Sequence, residues 1–332
     1  MSGFSRISSV AVHLPQQRQT AAEMEETMRA TQPHLLILDG LLERLYGLQE
    51  RRVAPPGSMP SDLAAAAAEV ALQRAGLSPS DVDLLVFASV SEDLEEPATA
   101  HVVAHKLGAT APVVDVKNAC NGVLNAMQLA DALIRTGAHT TVLIVSGEMP
   151  SRLMGLEVAG RSDLVFALPA YTGGDLGAAL IMQASEQPGL LGMRFVANSA
   201  AWSTATMINP YFGADDRPRC PRIDSEALVR SFTGMALDGL RAMHELGYKI
   251  GDADLVCVHQ PSVPLTVATC AGMGVTPEQV IPVFARHGNV GTGCLPLQLT
   301  EALEAGRLRR GDLVALFGLA SGTSGGFALC QW

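Results

Sequence analysis

Four short and almost uncharged runs constrain this chain most: Asp83 to Ser89 (DLLVFAS), Thr140 to Ser146 (TTVLIVS), Asp254 to Val258 (DLVCV) and Asp312 to Phe317 (DLVALF). Runs this short and this rich in Val, Ile and Leu read as buried strands. Further strands are expected at Ile7 to Leu14, Val113 to Val116, Leu176 to Met182 and Gly326 to Gln331. Longer helical patterns alternate with them. Ser61 and Asp62 are expected to cap an Ala-rich helix that runs to Arg74 and stops at Gly76. Other helices are expected at Ala98 to Leu107, Asn121 to Arg135, Asp224 to Leu246, Val263 to Met273 and Gly293 to Ala305. Strands alternating with helices predict an α/β fold, with mixed sheets covered by helices.

Two phrases echo each other. Gly76 to Ser89 (GLSPSDVDLLVFAS) and Gly247 to Gln260 (GYKIGDADLVCVHQ) both run from a helix end through a polar turn to an Asp and an apolar strand. The echo is a weak sign of duplication. The length of 332 residues fits two domain-sized units or one large duplicated one.

Composition removes several classes of function. With 23 basic and 33 acidic residues the net charge is −10, and no Lys/Arg cluster offers a face for phosphates, which argues against nucleic acid. No run approaches the roughly 20 apolar residues of a bilayer crossing, and the N-terminus shows no signal-peptide pattern. Six cysteines without a CxxC pair suit neither a disulfide framework nor a zinc ribbon. A cytoplasmic protein with free thiols and no metal is expected. Two segments look irregular, Ala54 to Pro60 and Asn198 to Arg222. The second holds Trp202, Tyr211, Phe212 and three prolines, and reads equally well as a lid over a pocket or as a surface excursion.

Three residues could carry chemistry together. Cys120, in DVKNACNGVLNAM, stands where a strand runs into a helix N-terminus, a place that favours a thiolate. His259 ends a strand in VCVHQPSVP, and Asn289 lies in the Gly-rich turn ARHGNVGTG. Singly, each suits a structural role. Jointly they form a nucleophile with two hydrogen-bonding groups. A papain-like protease uses such a trio, but the C-G-[SA]-C-[WY] signature around the nucleophile is missing.

Motifs in order along nearly the whole chain carry a resemblance: YGLQERRVA (Tyr46 to Ala54), DVKNACNGV, TGGDLGAAL (Thr172 to Leu180), VHQPS, RHGNVGTG and GLASGTSGGFAL. The chain resembles the ketoacyl-ACP synthase III group of the thiolase superfamily. The resemblance implies a five-layered αβαβα thiolase fold of two similar halves, residues 1–185 with the nucleophile and 186–332 with His259 and Asn289. It also implies a homodimer and an acyl-thioester substrate, with no metal or redox cofactor. By the same resemblance Cys120 is acylated, and His259 and Asn289 form the enolate or stabilise its oxyanion. The Cys120 amide and Gly322 would be the backbone donors of an oxyanion hole.

Two departures stand out. Where housekeeping members clamp the CoA adenine with a Trp and an Arg, this chain has Leu41 and Leu45, which leaves CoA and carrier-protein thioesters both open as donors. In SEDLEEPATAHVVAHKLG, Glu96 replaces an apolar aromatic. This segment is similar to those of head-to-head condensing enzymes of olefin biosynthesis and of α-pyrone-forming ketosynthases, in which a glutamate from the partner subunit acts as base. The alternative for Glu96 is a solvated position in the acidic run with Glu92 and Glu95. Claisen condensation in polyketide, fatty-acid or other specialised-metabolite synthesis is the expected function. Transfer of the acyl group to a hydroxyl or amine, or an inactive subunit paired with an active homologue, are the alternatives.

Overall fold

The computed structural model describes residues 3–155, 158–207, 209 and 221–332. Two sheets carry the architecture. The first is formed by β1 (Phe4–His13), β2 (Leu84–Phe87), β3 (Val113–Asp115), β4 (Thr141–Glu148) and β5 (Leu176–Ser185). Its order is β1-β5-β4-β2-β3, antiparallel across the first two pairs and parallel across the last two. The second sheet uses β6 (Leu190–Ala197), β7 (Leu255–Val258), β8 (Leu313–Ala320) and β9 (Ser324–Gln331). Its order, β6-β9-β8-β7, repeats the antiparallel, antiparallel, parallel sequence.

The echoed phrases occupy equivalent places and have a physical cause. Each leads through a short 3-10 turn, Pro79–Asp81 or Ile250–Asp252, into β2 or β7. In each, the Asp before the strand accepts backbone N–H groups at the start of the neighbouring parallel strand. Asp83 takes those of Thr140 and Thr141, and Asp254 takes that of Leu313. One carboxylate therefore sets the strand register in each sheet.

Period-two alternation divides the sheet faces between layers. Val86, Ile144 and Leu180 of the first sheet face a central helical layer, where they meet α3 (Gly122–Arg135) and α6 (Cys294–Glu304). Leu255, Leu316 and Ala328 of the second sheet close the same core from the other side. Leu85, Phe87, Leu143 and Val145 face outward against the Ala-rich helix α1 (Pro60–Ala75) and against α2 (Thr99–Leu107). Val256, Val258, Ala315 and Phe317 pack on α4 (Met235–Glu245) and α5 (Val263–Met273). The five layers run αβαβα, the thiolase fold. Glycines let α1 approach the first sheet closely. A Cβ on Gly147 would lie 1.9 Å from the Pro60 carbonyl oxygen, and one on Gly177 would lie 1.8 Å from that of Leu63. No described helix is long and apolar enough to cross a membrane.

Several expectations need correction. The Asp224 to Leu246 helix is two helices, Ser225–Ser231 and α4, because Gly234 takes φ 87° between them, a left-handed conformation that breaks the ladder. Ser61 does not cap α1. Met59 precedes it and the Asp62 carboxylate accepts the Met59 N–H, while buried Ser61 bonds to Asp93. The strand β6 and the helices Ala21–Thr31 and Arg161–Tyr171 were not among the expected elements.

Candidate active site

The strand-turn-helix around Cys120 is built by a tight turn. Ala119 has φ 44°, a left-handed value rare outside glycine. The N–H groups of Asn121 and Gly122 bond back to the carbonyls of Asn118 and Ala119. Buried Asn121 then starts α3 and donates through Nδ2 to the carbonyl and hydroxyl of Ser324 in the second sheet. The turn is thus tied across the two halves of the structure.

Asn289 arrives from the other half and is gripped by the backbone. Its N–H donates to Thr172 O (3.0 Å) and its carbonyl accepts Gly174 N–H (3.2 Å). Its Oδ1 accepts Gly291 N–H (3.1 Å), which leaves Nδ2 as the donor end of the side chain. The Thr172–Gly174 segment is held in turn by Arg51, whose Nη1 donates to the carbonyls of Tyr171 and Gly173. Asp175 accepts the N–H groups of Ala54 and Ser151. The motifs YGLQERRVA and TGGDLGAAL are therefore the mounting of Asn289.

Cys120 and Asn289 line one cavity of about 200 Å³. Its wall is mostly apolar, with Met149, Leu153, Pro169, Met207 and Ile223, and it also includes Glu148 and Ser91. His259 is buried and lines a separate, much smaller space with Phe317 and Gly318. Its N–H donates to Phe317 O, and Gly318 packs against Asn121, the residue after Cys120. Gln260, the next residue, donates its N–H to Cys294 Sγ (3.3 Å), and Cys294 acts electrostatically on Cys120. His259 and Cys120 therefore stand on adjoining elements without sharing a cavity wall.

The other expected residues lie elsewhere. Gly322 is exposed on the turn between β8 and β9, and the residue of that turn lining the cavity is Ser321. Glu96 is exposed and does not line the cavity. Leu41 and Leu45 stand on the short helix Leu41–Tyr46, with Leu45 half exposed. In the Asn198 to Arg222 segment, Ala205, Thr206, Met207 and Pro221 reach the cavity wall, whereas Trp202 is 64% exposed and does not line the cavity. Tyr211 and Phe212 lie outside the described residues.

The electrostatics correct one expectation. Cys120 is not held as a thiolate. Burial first, and the nearby Glu148 carboxylate second, push its thiol up to about 12. Burial likewise lowers the His259 imidazole to about 4, so it is neutral at physiological pH. Glu148 is the residue that inspection of the sequence missed. Its one local trace is that it is an acid closing the otherwise uncharged run TVLIVSGE, and the burial that gives it meaning comes only with the fold.

Two sheets around a central helical layer, with a cysteine at the start of one central helix, are the arrangement of the thiolase superfamily. Comparison with known proteins makes this specific. The family described as 3-oxoacyl-[acyl-carrier-protein (ACP)] synthase III matches residues 114–199, and its C-terminal counterpart matches residues 243–332. The β-ketoacyl-[acyl-carrier-protein] synthase III of Desulfitobacterium hafniense (strain Y51) is 31% identical over 295 residues, covering 86% of this chain and 87% of the relative. That of Thiobacillus denitrificans is 29% identical over 333 residues and 99% of each chain. Two solved structures of Xanthomonas campestris OleA superpose with a TM-score of 0.89. One, a histidine-to-asparagine variant, is 28% identical and covers 100% of this chain and 99% of its own. The other, a cysteine-to-serine variant with bound lauric acid and lauroyl-CoA, is 26% identical and covers 100% of both chains. The chain belongs to the β-ketoacyl-[acyl-carrier-protein] synthase III family. It is an acyltransferase that condenses acyl thioesters, forming a carbon–carbon bond by Claisen chemistry.

Proposed function

We propose that the enzyme works through a Cys120 acyl-enzyme, as a cytoplasmic homodimer whose subunits divide into halves at residues 1–185 and 186–332. One observation carries this reading: Cys120 and Asn289, delivered by the two halves, line a single mostly apolar cavity. In the first step Cys120 Sγ bonds to the carbonyl carbon of a CoA or carrier-protein thioester. The donor's C–S bond breaks, and the Sγ proton passes by way of neutral His259 to the departing sulfur. In the second step a carbanion from another thioester attacks the Cys120-bound carbonyl. The C–S bond to Cys120 breaks and its sulfur regains a proton. Asn289 Nδ2 and His259 stabilise the enolate oxygen, and the Cys120 N–H, with a backbone donor from the Ser321–Thr323 turn, the oxyanion.

Glu96 of the partner subunit is the base that makes this carbanion without decarboxylation. The surroundings of Glu96 support this. The Asp115 carboxylate of β3 accepts the N–H groups of Thr99 and Ala100, so the Glu96 segment hangs beside the outer strand of the first sheet. Half-exposed Val114 lies on that strand, and an unpaired edge favours pairing with a second copy. Replacement of the adenine-gripping pair by Leu41 and Leu45 favours a specialised role over housekeeping fatty-acid synthesis, with a carrier-protein thioester as a donor alongside CoA. The mostly apolar wall fits an apolar acyl group, and the related OleA structure holds lauric acid and lauroyl-CoA.

The test is intact-protein mass spectrometry after mixing with a panel of acyl-CoAs and acyl-carrier proteins. A mass gain that disappears in Cys120→Ala is expected, and it names the donor. An adduct that persists in Cys120→Ala overturns the nucleophile assignment.

A further inference from the structure

Glu148 is buried, with 1% exposure, at the end of β4, and it reaches the cavity that holds Cys120. Its Oε1 accepts the N–H of Val90 (3.0 Å), the N–H of Thr292 (3.2 Å) and the Thr292 hydroxyl (2.7 Å). Its Oε2 accepts the N–H and the hydroxyl of Ser91 at 3.3 and 3.2 Å. A carboxylate offers about four lone-pair sites, and this donor set occupies them. Burial pushes the Glu148 carboxyl up, and these donors pull the other way.

The two segments it ties together matter. Val90 and Ser91 open the loop that runs to Glu96. Thr292 closes the turn that carries Asn289, and Gly291 within that turn leaves the room the carboxylate needs, since a Cβ there would lie 2.8 Å from Glu148 Oε1. The Thr292 hydroxyl also meets Ser146 Oγ at 2.6 Å.

We propose that Glu148 is the positioning residue of this site: its carboxyl group fixes the Gly291–Thr292 turn that presents Asn289 and ties that turn to the Val90–Ser91 loop. This role rests on the acyl-enzyme reading only for the step it serves, condensation rather than acylation.

The experiment measures Cys120 acylation and condensation in separate single-turnover runs, with Cys120→Ala as the blank. In Glu148→Gln condensation is expected to fall about tenfold or more as an amide N–H₂ meets N–H donors, while acylation falls far less. Thr292→Val loses the hydroxyl tie alone, so condensation is expected to fall by a smaller factor with the same bias. Unchanged condensation in both variants overturns the positioning role. An equal fall of acylation and condensation also overturns it, because opening of the whole site would then be the cause. Absence of an acyl-enzyme in the wild type would refute the acyl-enzyme reading instead, and the condensation rates of the variants would still test the tie.

Discussion

Burial of His259 links the chemistry of the site to the acid stability of the fold. In the native protein the imidazole titrates at about 4, against an ordinary value of 6.5. At low pH the unfolded chain therefore takes up a proton that the native chain refuses. Stability contributed by the neutral ring is complete at about pH 8 and is lost as pH falls through the window between the two values. The loss amounts to about 2 kcal/mol between about pH 8 and about pH 5, and to about 3 kcal/mol once the native ring also protonates. His259→Asn removes this proton uptake. Urea unfolding of wild type and variant, at one protein concentration and at both pH values, isolates the contribution as a difference of differences. The variant is expected to lose about 2 kcal/mol less than the wild type between about pH 8 and about pH 5, whatever its stability at about pH 8. Identical pH slopes in the two proteins would show that the ring is not held neutral, and the argument from burial would fail. The consequence for catalysis is direct, since a neutral imidazole can accept the Cys120 proton and an imidazolium cannot.

Two further outcomes are expected. Gly177→Ala places a methyl 1.8 Å from the backbone oxygen of Leu63, where no side chain can yield, and should cost about 3 kcal/mol or more of stability. A thermal midpoint within a degree or so of wild type would show that α1 can lift off the sheet. Glu96→Gln should slow condensation far more than Cys120 acylation, measured in separate single-turnover experiments; equal or negligible effects would return Glu96 to the solvated acidic run.

Much of this structure could be read from the chain because its signals are local. The uncharged runs became β2, β4, β7 and β8, and the echoed Asp residues proved to set the start of neighbouring parallel strands. Cys120 lies in a short motif whose turn is its own mounting, and Asn289 lies in a short motif that a turn of distant sequence holds. What stayed hidden depends on distant partners. Glu148 looks like an ordinary strand-ending acid until Thr292, 144 residues away, and Ser91 are seen around it. The strand β6 alternates too weakly to stand out, as LLGMRFVA has a mostly half-buried pattern and owes its place to pairing with β9. The break at Gly234 was concealed because the helical periodicity resumes beyond it.

The connection from β4 to β5 spans residues 149–175, whereas its counterpart from β8 to β9 is the turn Ser321–Thr323. Both reach the cavity, but one supplies six residues of its wall and the other a single serine. The duplicated sheets thus carry an unequal pair of lids, and the larger is anchored at its ends by Arg51 and Asp175. Substitutions at Leu153, Pro169 or Met207 reshape the acyl wall without unpairing a strand of either sheet or entering the central helical layer. Substrate range is therefore free to drift in this fold at little cost to folding, while the nucleophile stays where the two halves meet.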